Sequence, residues 1–137
     1  MTHSLMQVAL VAIGSALGGV TRWAVNSAVG QWFGTAFPYG TLIINVSGCF
    51  LLGWLLSYLN NCPSDFSIAW LGREELRLAI AVGFAGSFTT FSTFEWESNA
   101  LLQDQQVWKA SAYMLGSLAL GLLALRVGMM VSLIHKT

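Results

Sequence analysis

The stretch Gly83-Phe84-Ala85-Gly86-Ser87-Phe88-Thr89-Thr90-Phe91-Ser92-Thr93-Phe94-Glu95-Trp96-Glu97 decides how the rest of the chain is read. It lies where the apolar pattern calls for a membrane helix, yet it is loaded with glycine and hydroxyl side chains and ends in two carboxylates. Phenylalanine recurs at 88, 91 and 94, so in a continuous α-helix these rings and Glu97 form one slowly drifting stripe, with Thr90 and Thr93 beside it. Glycine and hydroxyl residues weaken helix continuity here, and a break is predicted near Gly86–Thr90. Irregular backbone at membrane depth is tolerated only where it is buried in protein or lines a wet cavity. A break also exposes carbonyls able to hold a cation. The expectation is a bound ion or a pore.

Outward from that stretch, the 137 residues are 55% hydrophobic and 9% charged, with 8 Phe and 6 Trp, which is too apolar for a soluble domain of this size. The chain reads as an all-α integral membrane protein forming a single domain over residues 1–137. The opening Met1-Thr2-His3-Ser4 has no basic leader and no small-residue cleavage site follows, so the first apolar run is expected to be a retained span. The formal net charge of zero implies no nucleic-acid partner. Cys49 in an apolar run and Cys62 in a polar loop have no metal-site spacing and are expected to be unpaired thiols.

Four apolar segments each approach the ~20 residues that a bilayer requires. They run from about Leu5 to Val29, Tyr39 to Leu59, Leu76 to Leu102 and Val107 to Ile134. The first carries Gly14-x-x-x-Gly18 and then Gly19, a small-residue face for close helix packing. Arg22, followed by Asn26 and Ser27, either snorkels to the headgroups or lines an electropositive vestibule. The short loop Gly30 to Pro38 brings Trp32, Phe33 and Phe37 to an interfacial belt. In the second segment Asn45 lies several residues into the hydrocarbon, where an unpaired amide is costly. It either bonds to another helix or aims a donor into a pore. The loop from Asn60 to Glu75 is the one long polar connection and forms a solvated entry to segment three. In the fourth segment Tyr113 and Ser117, at i and i+4 and followed by Gly121, give a hydroxyl-bearing face, with Ser111 a competing candidate. Arg73, Arg77, Arg126 and Lys136 fall on one side and Lys109 with the embedded Arg22 on the other, a weak positive-inside bias.

Residues 83–94 resemble the signature Gly-Phe-Cys-Gly-Gly-Leu-Thr-Thr-Phe-Ser-Thr-Phe of the Fluc (CrcB-type) fluoride channels. Gly18-Gly19-Val20-Thr21-Arg22-Trp23 and Gly40-Thr41-Leu42-Ile43-Ile44-Asn45-Val46-Ser47-Gly48 support the match, so the resemblance covers essentially the whole chain. Ala85, Ser87 and Phe88 depart from the signature's Cys, Gly and Leu, and Ser87 brings a Cβ where the signature has none. The Thr-Thr-Phe-Ser-Thr-Phe core is intact.

The resemblance implies an antiparallel, dual-topology homodimer in a bacterial inner membrane, passively exporting cytoplasmic fluoride. It implies a structural sodium ion at the centre of the dimer, held by backbone carbonyls that map to Gly86 and Thr89 of each subunit. It further implies two pores along the interface, lined by Phe91, Phe94, Asn45, Ser92, Thr93, Tyr113 and Ser117, with Arg22 at a vestibule. Glu97 has no assigned part, since an anion path ending near a carboxylate needs that group protonated or turned aside.

Readings of other classes fare worse. A small multidrug-type exporter, the main alternative, carries a membrane-embedded glutamate in its first helix, whereas this first segment holds Arg22 and no carboxylate. A transport-free scaffold leaves the polar break unexplained. An enzyme is not expected, because no Ser-Lys, Ser-His or His-Glu set is in view and His3 and His135 sit at the chain ends.

Overall fold

A computed structural model of the protein describes residues 2–63, 65–68 and 71–134, with only the backbone of Thr2 and His3. His135 and Lys136 lie outside the described residues. The first helix, α1 (Thr2–Phe33), starts before Leu5 and runs on through the residues expected to begin a loop. Nothing breaks it until Gly34, whose φ of +73° is the left-handed conformation that ends helices at low cost. Pro38 then opens α2 (Tyr39–Asn61), its carbonyl taking the first helical bond from the Leu42 amide at 3.2 Å. Along α2 the buried residues Thr41, Ile44, Gly48, Leu55 and Leu59 recur at helical spacing and mark the face turned to the bundle.

The polar loop contains a feature that periodicity does not reveal. Ser67–Ile68 (β1) and Leu71–Gly72 (β2) form a minimal antiparallel ladder, Ser67 opposite Gly72 and Ile68 opposite Leu71. The Arg73 guanidinium donates to the Cys62 carbonyl at 3.2 Å and ties the loop's far end to its beginning.

The third segment is not one helix. It begins as α3 (Arg73–Leu76), widens into a π-helix over Arg77–Ala85, continues as α4 (Gly86–Phe88), breaks, and resumes as α5 (Phe91–Gln103). The stripe of phenylalanines is divided by that break. Phe88 is buried and stacked on Phe84, with ring centroids 5.6 Å apart, while Phe91 is 74% exposed on the other side. The last helix, α6 (Val107–Ile134), runs uninterrupted.

Small residues set the packing. A Cβ at Gly14 would collide with the Ala79 carbonyl and one at Gly18 with the Phe84 carbonyl, so α1 lies parallel to the π-helix at backbone contact. Gly53 stands likewise against the Leu125 carbonyl, and the Ser57 hydroxyl reaches the Met129 carbonyl at 3.4 Å, so α2 and α6 run side by side in the same direction. One apolar cluster, Leu55, Leu59 and Leu76, fills the end near the polar loop. A second, Leu101, Ala110 and Tyr113, fills the opposite end with Phe37, Leu42, Phe94 and Met114 around it. The break lies between them. Among the described residues three helices are long and apolar enough to cross a membrane: Ser4–Phe33, Tyr39–Asn61 and Val107–Ile134.

Candidate functional site

At the break Thr89 (φ −76°, ψ 159°) and Thr90 (φ −149°, ψ 123°) are both extended. Three side chains hold that geometry. The Asn45 amide faces the Thr90 peptide edge-on, its Oδ1 accepting the Thr90 N–H at 2.8 Å and its Nδ2 donating to the Thr90 carbonyl at 3.0 Å. The Thr90 hydroxyl caps α5 by accepting the Thr93 N–H at 3.3 Å and donates to the Thr93 hydroxyl at 3.0 Å. On the other flank the Thr89 hydroxyl and N–H both turn back to the Ala85 carbonyl, at 2.9 and 3.0 Å. Gly48 is the floor beneath, because a Cβ there would meet the Thr89 methyl.

Two carbonyls lose their helical partners as a result. In a continuous helix the Thr90 N–H would serve the Gly86 carbonyl and the Thr93 N–H the Thr89 carbonyl. Here the first goes to Asn45 and the second to the Thr90 hydroxyl. Gly86 and Thr89 are the residues expected to supply backbone oxygens to a cation. A stripped helical carbonyl is the hard oxygen donor that such an ion takes. Arg22 reaches the same level, its guanidinium 3.5 Å from the Thr89 carbonyl.

Beside the break opens a groove of about 540 Å³, walled by Asn45, Cys49, Thr89, Thr90, Phe91, Phe94 and Ser117 with Leu52, Met114, Leu115 and Leu118. It gathers four of the expected pore residues, Asn45, Phe91, Phe94 and Ser117. The Ser117 Oγ is buried there with no partner among the described residues. Asn45 makes the interhelical bond, with one N–H committed to Thr90, and its side chain also lies on the groove wall. Ser92 is exposed on α5, and Thr93 is turned to Thr90; neither is on the groove wall in the single chain.

Beyond Phe94 the chain closes on itself. The Tyr113 hydroxyl donates to Glu97 Oε2 at 2.8 Å and the Thr41 hydroxyl to Oε1 at 2.9 Å. Both donors are 1% exposed, and the Phe94 ring rests against Tyr113 with centroids 5.1 Å apart. Glu97 thereby ties α2, α5 and α6 together, and each hydrogen bond to a charged group contributes about 1.5–3 kcal/mol. On its other side Glu97 lines a second cavity of about 330 Å³, with Asn26, Phe37, Pro38, Tyr39, Asp104, Gln106 and Lys109 in its wall. Phe94, Tyr113, Thr41 and Glu97 thus form a septum between the two cavities. Thr41 was not singled out as a site residue by sequence reasoning. Its signal was present, four residues before Asn45 on the same helical face.

The profile of a protein family described as CrcB-like, Camphor Resistance (CrcB), matches residues 9–129 of the chain. A protein of Acidobacterium capsulatum named fluoride-specific ion channel FluC is 47% identical over 126 residues, 92% of this chain and 95% of that protein. Proteins of the same name from Magnetococcus marinus and a Synechococcus strain are 42% and 38% identical. They cover 92% and 89% of this chain, and 97% and 88% of their own lengths.

Proposed function

The chain belongs to the CrcB-like family, and from that membership and the geometry of the break we propose that it is a fluoride-selective passive channel of a multi-pass bacterial membrane protein. The single observation that carries the proposal from geometry is the groove beside Thr89–Thr90. It brings an amide, an unpartnered hydroxyl and two phenylalanine rings onto one path.

Fluoride is small and strongly hydrated, so entry requires its water to be replaced group by group. The second Asn45 N–H and the Ser117 O–H are donors, and the edges of Phe91 and Phe94 are electropositive. No group need bind tightly, since an ion held too well cannot leave. At the septum the Tyr113 and Thr41 hydroxyls already donate to an anion, the Glu97 carboxylate. Their hold on Glu97 fixes its carboxylate at the septum, and an anion moving between the cavities would compete with it for these two O–H donors. Arg22 raises the local anion concentration near the break.

In the same proposal the broken third segment is also a span, making four in all, and two antiparallel copies meet at their breaks in an inner membrane. The apolar surface favours a covering copy: Phe91 and Trp96 are each 74% exposed on α5. Carbonyls of Gly86 and Thr89 from both copies would hold a structural sodium ion, which supplies positive charge to bind the two breaks together.

The test is efflux from liposomes loaded with potassium fluoride or potassium chloride, started with valinomycin and followed by electrode. Fast fluoride release without chloride release, lost in Phe91→Ile, is the expected result. Equal release of both halides, or of neither by a folded dimer, would overturn the proposal.

A further inference from the structure

Ser92, Glu95 and Asn99 stand on one face of α5, at i, i+3 and i+7, and all three are exposed. Glu95 makes no hydrogen bond or ion pair among the described residues. It is the fifth residue of α5, about 6 Å along the axis from the break and about 12 Å short of the helix end at Gln103. With the break near mid-depth, that places a free carboxylate within the hydrocarbon slab. Carboxylates at such depth face a protein interior or water, not lipid. Glu97, two residues on in the same helix, obeys this rule through Thr41 and Tyr113. Glu95 has no such partner, and hydroxyl and amide neighbours continue its face in both directions.

We propose that this stripe lines a water-filled vestibule leading to the Phe91 end of the groove, and that the Glu95 charge slows the entry of fluoride. The inference rests on the channel reading above, with the broken segment as a span. Arg22 at the Thr89 carbonyl draws anions toward the break, and Glu95 opposes it from the wall of the approach. The rate of entry is set by the balance of the two. Glu95 therefore determines throughput without touching the permeating ion.

The experiment uses the full chain in liposomes and compares wild type, Glu95→Gln and Glu95→Asp at low and high ionic strength, set with an impermeant potassium sulfonate. Glu95→Gln is expected to raise the initial fluoride rate roughly twofold at low ionic strength, as a unit charge at about 10 Å in water allows. The gain shrinks at high salt as screening shortens the reach of the charge. Glu95→Asp tracks wild type, because it keeps the charge. An unchanged or slower rate in Glu95→Gln, or a failure of that isosteric variant to fold, would overturn the proposal by giving the carboxylate a protein partner. Placement is read separately with Glu95→Cys in a background of Cys49→Ser and Cys62→Ser, using a charged, membrane-impermeant thiol reagent. Labelling supports a wet face even if wild type fails to conduct fluoride, in which case the channel reading alone falls; absence of labelling overturns the vestibule.

Discussion

Asn45 shows what one side chain does when it stands in for backbone. Its amide mimics the edge of a peptide group, and the Thr90 N–H and C=O pair with it as a strand neighbour would. Asn45→Asp keeps the acceptor but sets a second oxygen against the Thr90 carbonyl. It should lower stability by about 2 kcal/mol, seen as a reduced unfolding temperature in detergent. Tyr113→Phe removes one of two donors to Glu97 and leaves a carboxylate oxygen without that partner. The expected cost is about 1.5–3 kcal/mol, and pairing it with Glu97→Gln should recover part of the loss in a double-mutant cycle. The sequence announced Asn45 because an amide deep in an apolar run must have a partner. It did not identify that partner, since Thr90 lies on a segment whose course depends on the contact itself. Thr41 was harder to see for a related reason: a threonine in a membrane helix can bond to its own backbone, and nothing local distinguishes one that reaches Glu97.

At the scale of elements, the small-residue faces were legible from spacing alone. Gly14 and Gly18 predicted a close neighbour, and the π-helix supplies it. Gly19, one residue on, has no atom within 4 Å of where its Cβ would be. Gly18→Val should therefore destabilise by about 1–3 kcal/mol or more through backbone collision, while Gly19→Val should stay within about 1 kcal/mol of wild type, both by thermal unfolding. The π-helix itself was not legible. Residues 77–85 carry no local pattern that marks a wider turn, and the π-helix packs against α1 at backbone contact. The break was expected near Gly86–Thr90 from glycine and hydroxyl content, and its centre falls at the far end of that range, on Thr89–Thr90, where side chains take the amides from the helix.

The whole molecule leaves much apolar surface uncovered. Lipid accounts for most of it, yet α5 mixes Phe91 and Trp96 with Ser92, Glu95 and Asn99 in a way that suits neither lipid nor bulk water alone. Purified protein cross-linked in mild detergent should run as a dimer, and Gly86→Ile should shift it toward monomer. Within one chain a Cβ at Gly86 has room, its nearest contact being the Ala81 carbonyl at 3.8 Å. A variant that remained dimeric with unaltered stability would remove Gly86 from the contact between copies. Composition made the membrane setting plain, whereas no local pattern encodes how one copy would meet another.

Because the amides of Thr90 and Thr93 are engaged by side chains of the same chain, the gap in the third helix exists before any second copy or ion arrives. In the proposed dimer, assembly would begin from a preorganised surface. No helical turn would have to melt on docking, so the conformational entropy of fixing Thr89 and Thr90 in extended form is already lost during folding, when each copy is still single.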